Sequence, residues 1–418
     1  MIADWAAWLK RRLRCVRLTP FASLAFRWVW ASSLASATAT GLLATATAWL
    51  ALGDGVGFSV GLVLAARMLP NLLFGLPAGT LADRLDRPRQ LLAVSLAALP
   101  LMLALNRLAD SGSVPLWQLV SLSFATGCLP VFDLPARQSL VMDVVPRELA
   151  SNAMALNALA TRLCVALGAL LAGVLIPLAG VAACYLVVAG AYIISGLLVL
   201  AVRSATSPLA RGAGVSFGRA IRQGARLIVD VPAVRTLVAA GVACEIFGFS
   251  FLTAVPVVAR DVVGAGAEGL GTLNAATSIG GTVAVLVLSV LPRGVRREWI
   301  MSLVFAVYGL SLLALAGMSS LVAAAAVLVV TGACAASFDL LQQTLLQLAV
   351  TEDQRGRAVG VWVLGTGSAP IGHLEMGTLV AALGAPPALM VNGLVLVICA
   401  VVLVTSTPLY RWSPRASN

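Results

Sequence analysis

Four ionisable side chains stand near the middle of long apolar runs: Arg67, Arg162, Glu245 and Glu375, with His373 beside the last. A charge facing hydrocarbon costs roughly 2.5–3.5 kcal/mol or more, so these groups are expected to face protein or water. Both arginines fall in the first half of the chain and both acids in the second. The set suits proton exchange and charge pairing across an aqueous cavity, basic on one wall and acidic on the other. It does not suit covalent catalysis, because a single histidine, the lone Lys10, and the absence of HExxH and GxSxG leave few catalytic parts. Glu245 is the preferred proton carrier, since water-poor surroundings disfavour a bare carboxylate; a purely structural ion pair across the halves is the competing reading. His373 and Glu375 are two apart, about 200° around a helix, and cannot share a face. His373 instead continues a ladder with Gly365, Ala369 and Gly377, a surface for close packing, which favours a packing role over a proton relay. Arg67, Asn71, Gly75 and Gly79 make a similar ladder, expected to meet the other half.

A second group of charges marks the ends of the apolar runs. Residues 75–90 lead from a hydrophobic stretch into Asp83, Arg84, Asp86, Arg87 and Arg89. An acid at a helix C-terminus opposes the helix dipole, so Asp83 is expected to find a compensating positive end. Arg87 or Arg89 is expected to reach Asp133, with Arg137 nearby, as a latch that opens with the cavity. The second half has no counterpart of Asp83, which leaves Arg293 or Arg296 with Asp339 as the matching latch. The alternative is a bare orientation signal; it accounts for the arginines but not for Asp83 or Asp86.

The elements that must hold these residues are membrane helices. The 418 residues are 60% hydrophobic and 11% charged, with mean hydropathy +0.99, whereas a soluble chain carries roughly 25% charged residues. Apolar runs without alternation point to helices rather than a barrel. Twelve spans are expected over 27–52, 58–82, 91–109, 116–137, 152–176, 179–202, 233–259, 269–291, 299–317, 321–345, 357–382 and 387–407. The net charge of +11 is spread so that one set of loops takes Arg84 to Arg89, Arg147, Arg203 to Arg226, Arg293 to Arg297, and Arg355 with Arg357. The opposite loops keep only Arg107 and Arg260. Positive residues in short loops set orientation, so both termini are expected in the cytoplasm, and nucleic acid is not an expected partner. The first span is too long, and lacks a clean cleavage site, for a removable signal. Residues 4–17 suit either an amphipathic helix on the inner leaflet or a disordered basic tail. Seven dispersed cysteines without a CxxC pair call for no disulfide framework, metal or cofactor.

The polar interval at 203–232 divides the spans six and six. The expected parts are a cytoplasmic segment 1–26, a six-helix bundle 27–202, the linker 203–232, a second bundle 233–407 and a tail 408–418. The halves repeat: Phe132-Asp133-Leu134 ends the fourth span and Phe338-Asp339-Leu340 the tenth. Internal repeats mark secondary transporters, with a substrate site near the midplane between them. Gly264, Gly266 and Gly269 form a literal GxGxxG, but no strand precedes it, so a dinucleotide site is rejected.

The words in the chain also resemble a family. Gly79, Leu81, Ala82, Asp83, Arg84, Asp86, Arg87 and Arg89 match the loop after the second helix of the major facilitator superfamily, with Asp86 where a glycine is usual. That variant resembles the bacterial exporters that include enterobactin and macrolide efflux proteins. So do Phe132-Asp133-x-Pro135-Ala136-Arg137-Gln138, the linker end Gly224 to Arg235, and Pro370-Ile371-Gly372-x-Leu374-x-x-Gly377. The resemblance implies two six-helix bundles rocking around a cavity lined in part by the seventh helix, with Asp83 meeting the start of the eleventh. Ala169 stands where relatives with an antiporter pattern carry proline, which weakens that particular argument.

The function expected is proton-coupled export of a small amphipathic organic compound, such as a drug, siderophore or secondary metabolite. The setting is the inner membrane of a bacterium, with the chain a monomer among lipids. Two alternatives stay open: a lysophospholipid flippase of the same fold, and a membrane sensor or scaffold that transports nothing.

Overall fold

A computed structural model describes residues 19–53, 57–82, 85–202, 226–289, 296–351, 354, 360–362 and 365–405; side chains at 76, 77 and 79–82 fall outside the description. Among the described residues the regular structure is helical: α1 (Leu24–Leu52), α2 (Gly57–Ala82), α3 (Arg87–Asp110), α4 (Leu116–Asp143), α5 (Ala150–Leu200), α6 (Pro232–Ala243), α7 (Phe251–Val257), α8 (Gly266–Ser289), α9 (Arg297–Ala316), α10 (Leu321–Leu348), α11 (Ala369–Leu383) and α12 (Ala385–Thr405). Local chemistry sets many of the ends. Ser23 and Ser320 cap α1 and α10 by accepting from Phe26 N and Ala323 N, and Pro88 and Pro232 occupy first turns, where no amide partner is lost. Hydroxyls inside the spans return to their own helix: Ser33 to Val29 O, Thr38 to Leu34 O, Thr40 to Ser36 O. In hydrocarbon every polar group needs such a partner.

Among the described residues ten stretches are long and apolar enough to cross a membrane, fewer than the twelve expected, and two features account for the difference. The expected fifth and sixth spans are merged in α5, whose 51 residues would make a rod of about 75 Å against a hydrocarbon core of about 30 Å. Gly180 breaks that rod at φ 82, ψ 165, a left-handed conformation that favours glycine. The limb before it packs on α1, where Gly168 lies against Thr38 O, and the limb after it packs on α3, where Gly196 lies against Ser95. The eleventh expected span is represented by α11, only 15 residues long; residues 355–359 and 363–364 lie outside the described residues. The seventh span is continuous from Pro232 to Val262, but two π-helical turns, Cys244–Gly248 and Val258–Val262, flank α7.

The packing repeats itself. α2 crosses α4 as α8 crosses α10, and α3 packs on α5 as α9 packs on α12. Even the closest approaches correspond: a β-carbon at Gly127 of α4 would strike the carbonyl of Arg67 in α2, and one at Gly332 of α10 would strike that of Thr277 in α8. The halves touch through α2 with α11 and α5 with α8. Both contacts are glycine on glycine: a β-carbon at Gly61 would stand 2.9 Å from Gly377 Cα, and one at Gly271 2.8 Å from Gly173 Cα. These crossings lie toward the end of the molecule that carries Gly53. There Arg260 Nη1 also donates to Gly53 O at 2.7 Å, and Asn274 Nδ2 to Thr45 Oγ1 at 3.1 Å.

Candidate functional site

Asp133 and Arg137 are one turn apart on α4 and form a closed unit. Arg137 Nε and Nη2 donate to the two carboxylate oxygens at 2.8 and 2.7 Å. Arg137, 5% exposed, also donates from Nη1 to Ser32 Oγ at 3.0 Å and from Nη2 to Ser195 Oγ at 3.4 Å, joining α1, α4 and the second limb of α5. The expected latch from Arg87 or Arg89 to Asp133 is therefore corrected. Arg87 pairs with Asp143 at the end of α4, and Arg89 with Asp86 at 3.3 Å, because Asp133 already has a bidentate partner within its own bundle. Asp83, Arg84 and Arg293 lie outside the described residues. Arg296 is the residue just before α9, in extended backbone conformation.

The second copy of the tripeptide behaves differently. Asp339 of α10 is half-buried; Gln343, one turn on, donates to it, and the guanidinium within its electrostatic reach is Arg162 of α5, not the expected Arg296. Arg162 thus crosses from one half to the other, and its Nη1 lies 3.4 Å from where a β-carbon at Gly281 of α8 would stand. Glu245 joins the group from the other side, with Asp339 as its charged neighbour. It is half-buried and sits in the first π turn of the seventh span, where the bare backbone of Gly372 presses on Glu245 O and Ile246. A π turn inserts one residue and re-aims its side chains, and such turns are frequent at functional sites. Nothing in the composition of 232–262 signals it.

His373 and Glu375 point to different partners, as their spacing requires. His373, 4% exposed, meets Thr253 Oγ1 at 2.9 Å through Nδ1, while its carbonyl faces Gly61; this is a packing environment. Glu375 accepts from Asn392 Nδ2 at 3.2 Å, and Asn392 also donates to Ser250 Oγ at 3.1 Å. Glu375 is thereby tied within the second half instead of facing a first-half arginine. Asn392, the polar residue in the middle of the very apolar α12, was the available signal, and the sequence reading passed over it.

The α2 ladder also needs correcting. Gly57 and Gly61 face the other half, whereas Arg67 backs onto Gly127 of α4. Six residues beyond Gly61 lie about 240° further around the helix, so Arg67 cannot share the glycine face. Arg67, 8% exposed, lines a cavity of about 340 Å³ between α2 and α4 with Asn71, Pro130 and Leu134.

Residues 15–416 match the family described as transmembrane secretion effector. A relative, the staphyloferrin A transporter of Staphylococcus aureus (strain NCTC 8325 / PS 47), is 21% identical over 327 residues, covering 76% of this chain and 79% of that one. Two solved structures share the fold at 14% identity. A bacterial homologue of the human lysosomal transporter Spinster, inward-facing and unoccupied, has TM-score 0.69 and covers 95% of this chain and 100% of that one. A structure from work on substrate recognition in proton dependent oligopeptide transporters has TM-score 0.72, covering 93% and 98%. A repeat of crossing helices, apolar spans throughout and a family match along nearly the whole sequence lead to one conclusion. The chain belongs to the transmembrane secretion effector family of the major facilitator superfamily, multi-pass membrane transporters and not enzymes.

Proposed function

We propose that the chain is a proton-coupled exporter of a small amphipathic organic compound, working by alternating access between bundles 27–202 and 233–407 in a bacterial inner membrane. It has twelve spans, counting the two limbs of α5 and the short α11 separately, and acts as a monomer with both termini in the cytoplasm. The observation that carries the reading is the group formed by Arg162 from one half with Asp339 and Glu245 from the other. Two carboxyls and one guanidinium leave one acidic charge uncompensated, and a proton removes it. A ligand shifts an equilibrium only by its differential affinity for the two states; proton and cargo, each preferring one state, become linked.

With the basic loops inside, the glycine contacts between the halves lie on the outer side, which supports an arrangement closed toward the outside. The family description and the staphyloferrin A relative support secretion and a small organic cargo. The test is gradient-driven efflux from vesicles. Glu245→Gln should lower it roughly tenfold or more, about 1.4 kcal/mol of lost coupling, while gradient-independent exchange persists. Full retention of proton-driven efflux removes Glu245 from coupling, and lipid scrambling indifferent to the gradient replaces export with a flippase.

A further inference from the structure

Arg67 is a charge that its own packing does not require. Its counterpart in the second half, Thr277, occupies the matching crossing, with Gly332 of α10 on its carbonyl as Gly127 of α4 is on that of Arg67. Thr277 simply returns its hydroxyl to Leu273 O at 2.9 Å, so the crossing closes without a cation. At Arg67 the Nη1 atom is buried with no hydrogen-bond partner, and no acid among the described residues pairs with the guanidinium. Asp133 is taken by Arg137; the neighbours within electrostatic reach are the phenols Tyr192 and Tyr185. A buried lysine can shed its proton, but arginine stays charged, and an uncompensated buried ion is strongly unfavourable. Beside it lies the cavity of about 340 Å³, whose walls include Met68, Val131, Leu134 and Pro135, with the Asn71 amide one turn along α2. The pocket is half-open; its size lies at the lower end of the range for small-molecule sites, and its lining is apolar with a few polar groups.

We propose that this cavity binds the carboxylate or phosphate of a small, otherwise apolar organic molecule. Arg67 takes the anion, Asn71 supplies a second polar contact, and the Met, Val, Leu and Pro side chains cover the hydrocarbon part. As cargo chemistry this rests on the transporter reading above; as a binding site it stands alone. The anion comes either from a dissolved compound or from a lipid headgroup.

The experiment uses the purified full chain in phosphatidylcholine nanodiscs, with benzoate and phenyl phosphate as probes and benzamide and benzylamine as neutral and cationic controls. Calorimetry should show the two anions binding and the controls not. Arg67→Gln should weaken anion binding roughly ten- to hundredfold, and Arg67→Lys should fall between, keeping the charge but losing the planar fork. Adding phosphatidylglycerol to the disc displaces benzoate if the headgroup is the source and leaves it bound if the ligand is dissolved. The proposal is overturned if wild-type chain binds benzamide or benzylamine as well as benzoate, a result that needs no variant to fold. Unchanged benzoate affinity in Arg67→Gln overturns it equally. Anion binding without any flux would remove the export reading and leave this site, whereas proton-driven efflux from a chain blind to anions would do the reverse.

Discussion

Phe-Asp-Leu occurs at 132–134 and again at 338–340, at equivalent places in α4 and α10, yet the two aspartates are balanced in opposite ways. Asp133 is held by Arg137 from its own helix, and Arg137 is held in turn by serines of α1 and α5. Asp339 has Gln343 at the corresponding position, and its countercharge comes from Arg162 of the other half. The two halves share the backbone crossing and differ in how the charge is settled. Settled inside one bundle, it is a fixture; settled across the interface, it depends on how the bundles stand.

The largest effect should come from breaking the fixture. Arg137→Ala strands Asp133 in a bundle interior and should destabilise the chain by about 3–5 kcal/mol, read as loss of the monodisperse peak and a lowered Tm in detergent. Asp339→Asn, the matching change in the second half, should move stability by less than about 1.5 kcal/mol while removing most gradient-driven transport; equal destabilisation by both would abolish the distinction. Gln343→Arg sharpens it further by giving α10 the solution that α4 uses. An added i,i+4 pair contributes only about 0.3–0.5 kcal/mol, so Tm should hold or rise slightly, yet Asp339 would no longer answer to Arg162 and efflux should fall. Unaltered efflux in that variant would mean that Asp339 has no coupling role. The contacts both halves share give an effect on arrangement rather than on charge. Gly61→Ala and Gly271→Ala each put a methyl group against backbone at 2.5–2.7 Å and should disfavour the observed arrangement by about 1–3 kcal/mol. Spin-label distances across the Gly53 end should lengthen in both variants, and a change in only one would argue against equivalent crossings.

Local and compositional features were legible in the sequence, and pairings between distant elements were not. Apolar runs and basic loops announce the spans, and the i,i+4 spacing of Asp133 and Arg137 already contained their bond, although Arg87 or Arg89 was the partner expected for Asp133. Asp143, the partner Arg87 does find, was equally visible at the end of an amphipathic stretch. That Arg162 answers to Asp339 depends on how α5 approaches α8 and α10, which glycine contacts decide and hydropathy does not record. Arg67 was recognised as buried; that it turns toward α4 instead of the opposite half follows from which α2 glycines lie bare against α11.

The seventh span carries surplus chain. Each of its π turns holds one residue more than an α-helix of the same height, and Phe251–Val257 is suspended between the two. Drawing either excess into regular helix would spin that segment by about 100° while the span stays whole. Ser250 and Thr253 would swing away from Asn392 and His373 as a single swivel, and the carboxylate at Glu245 would be carried round with the turn that unwinds.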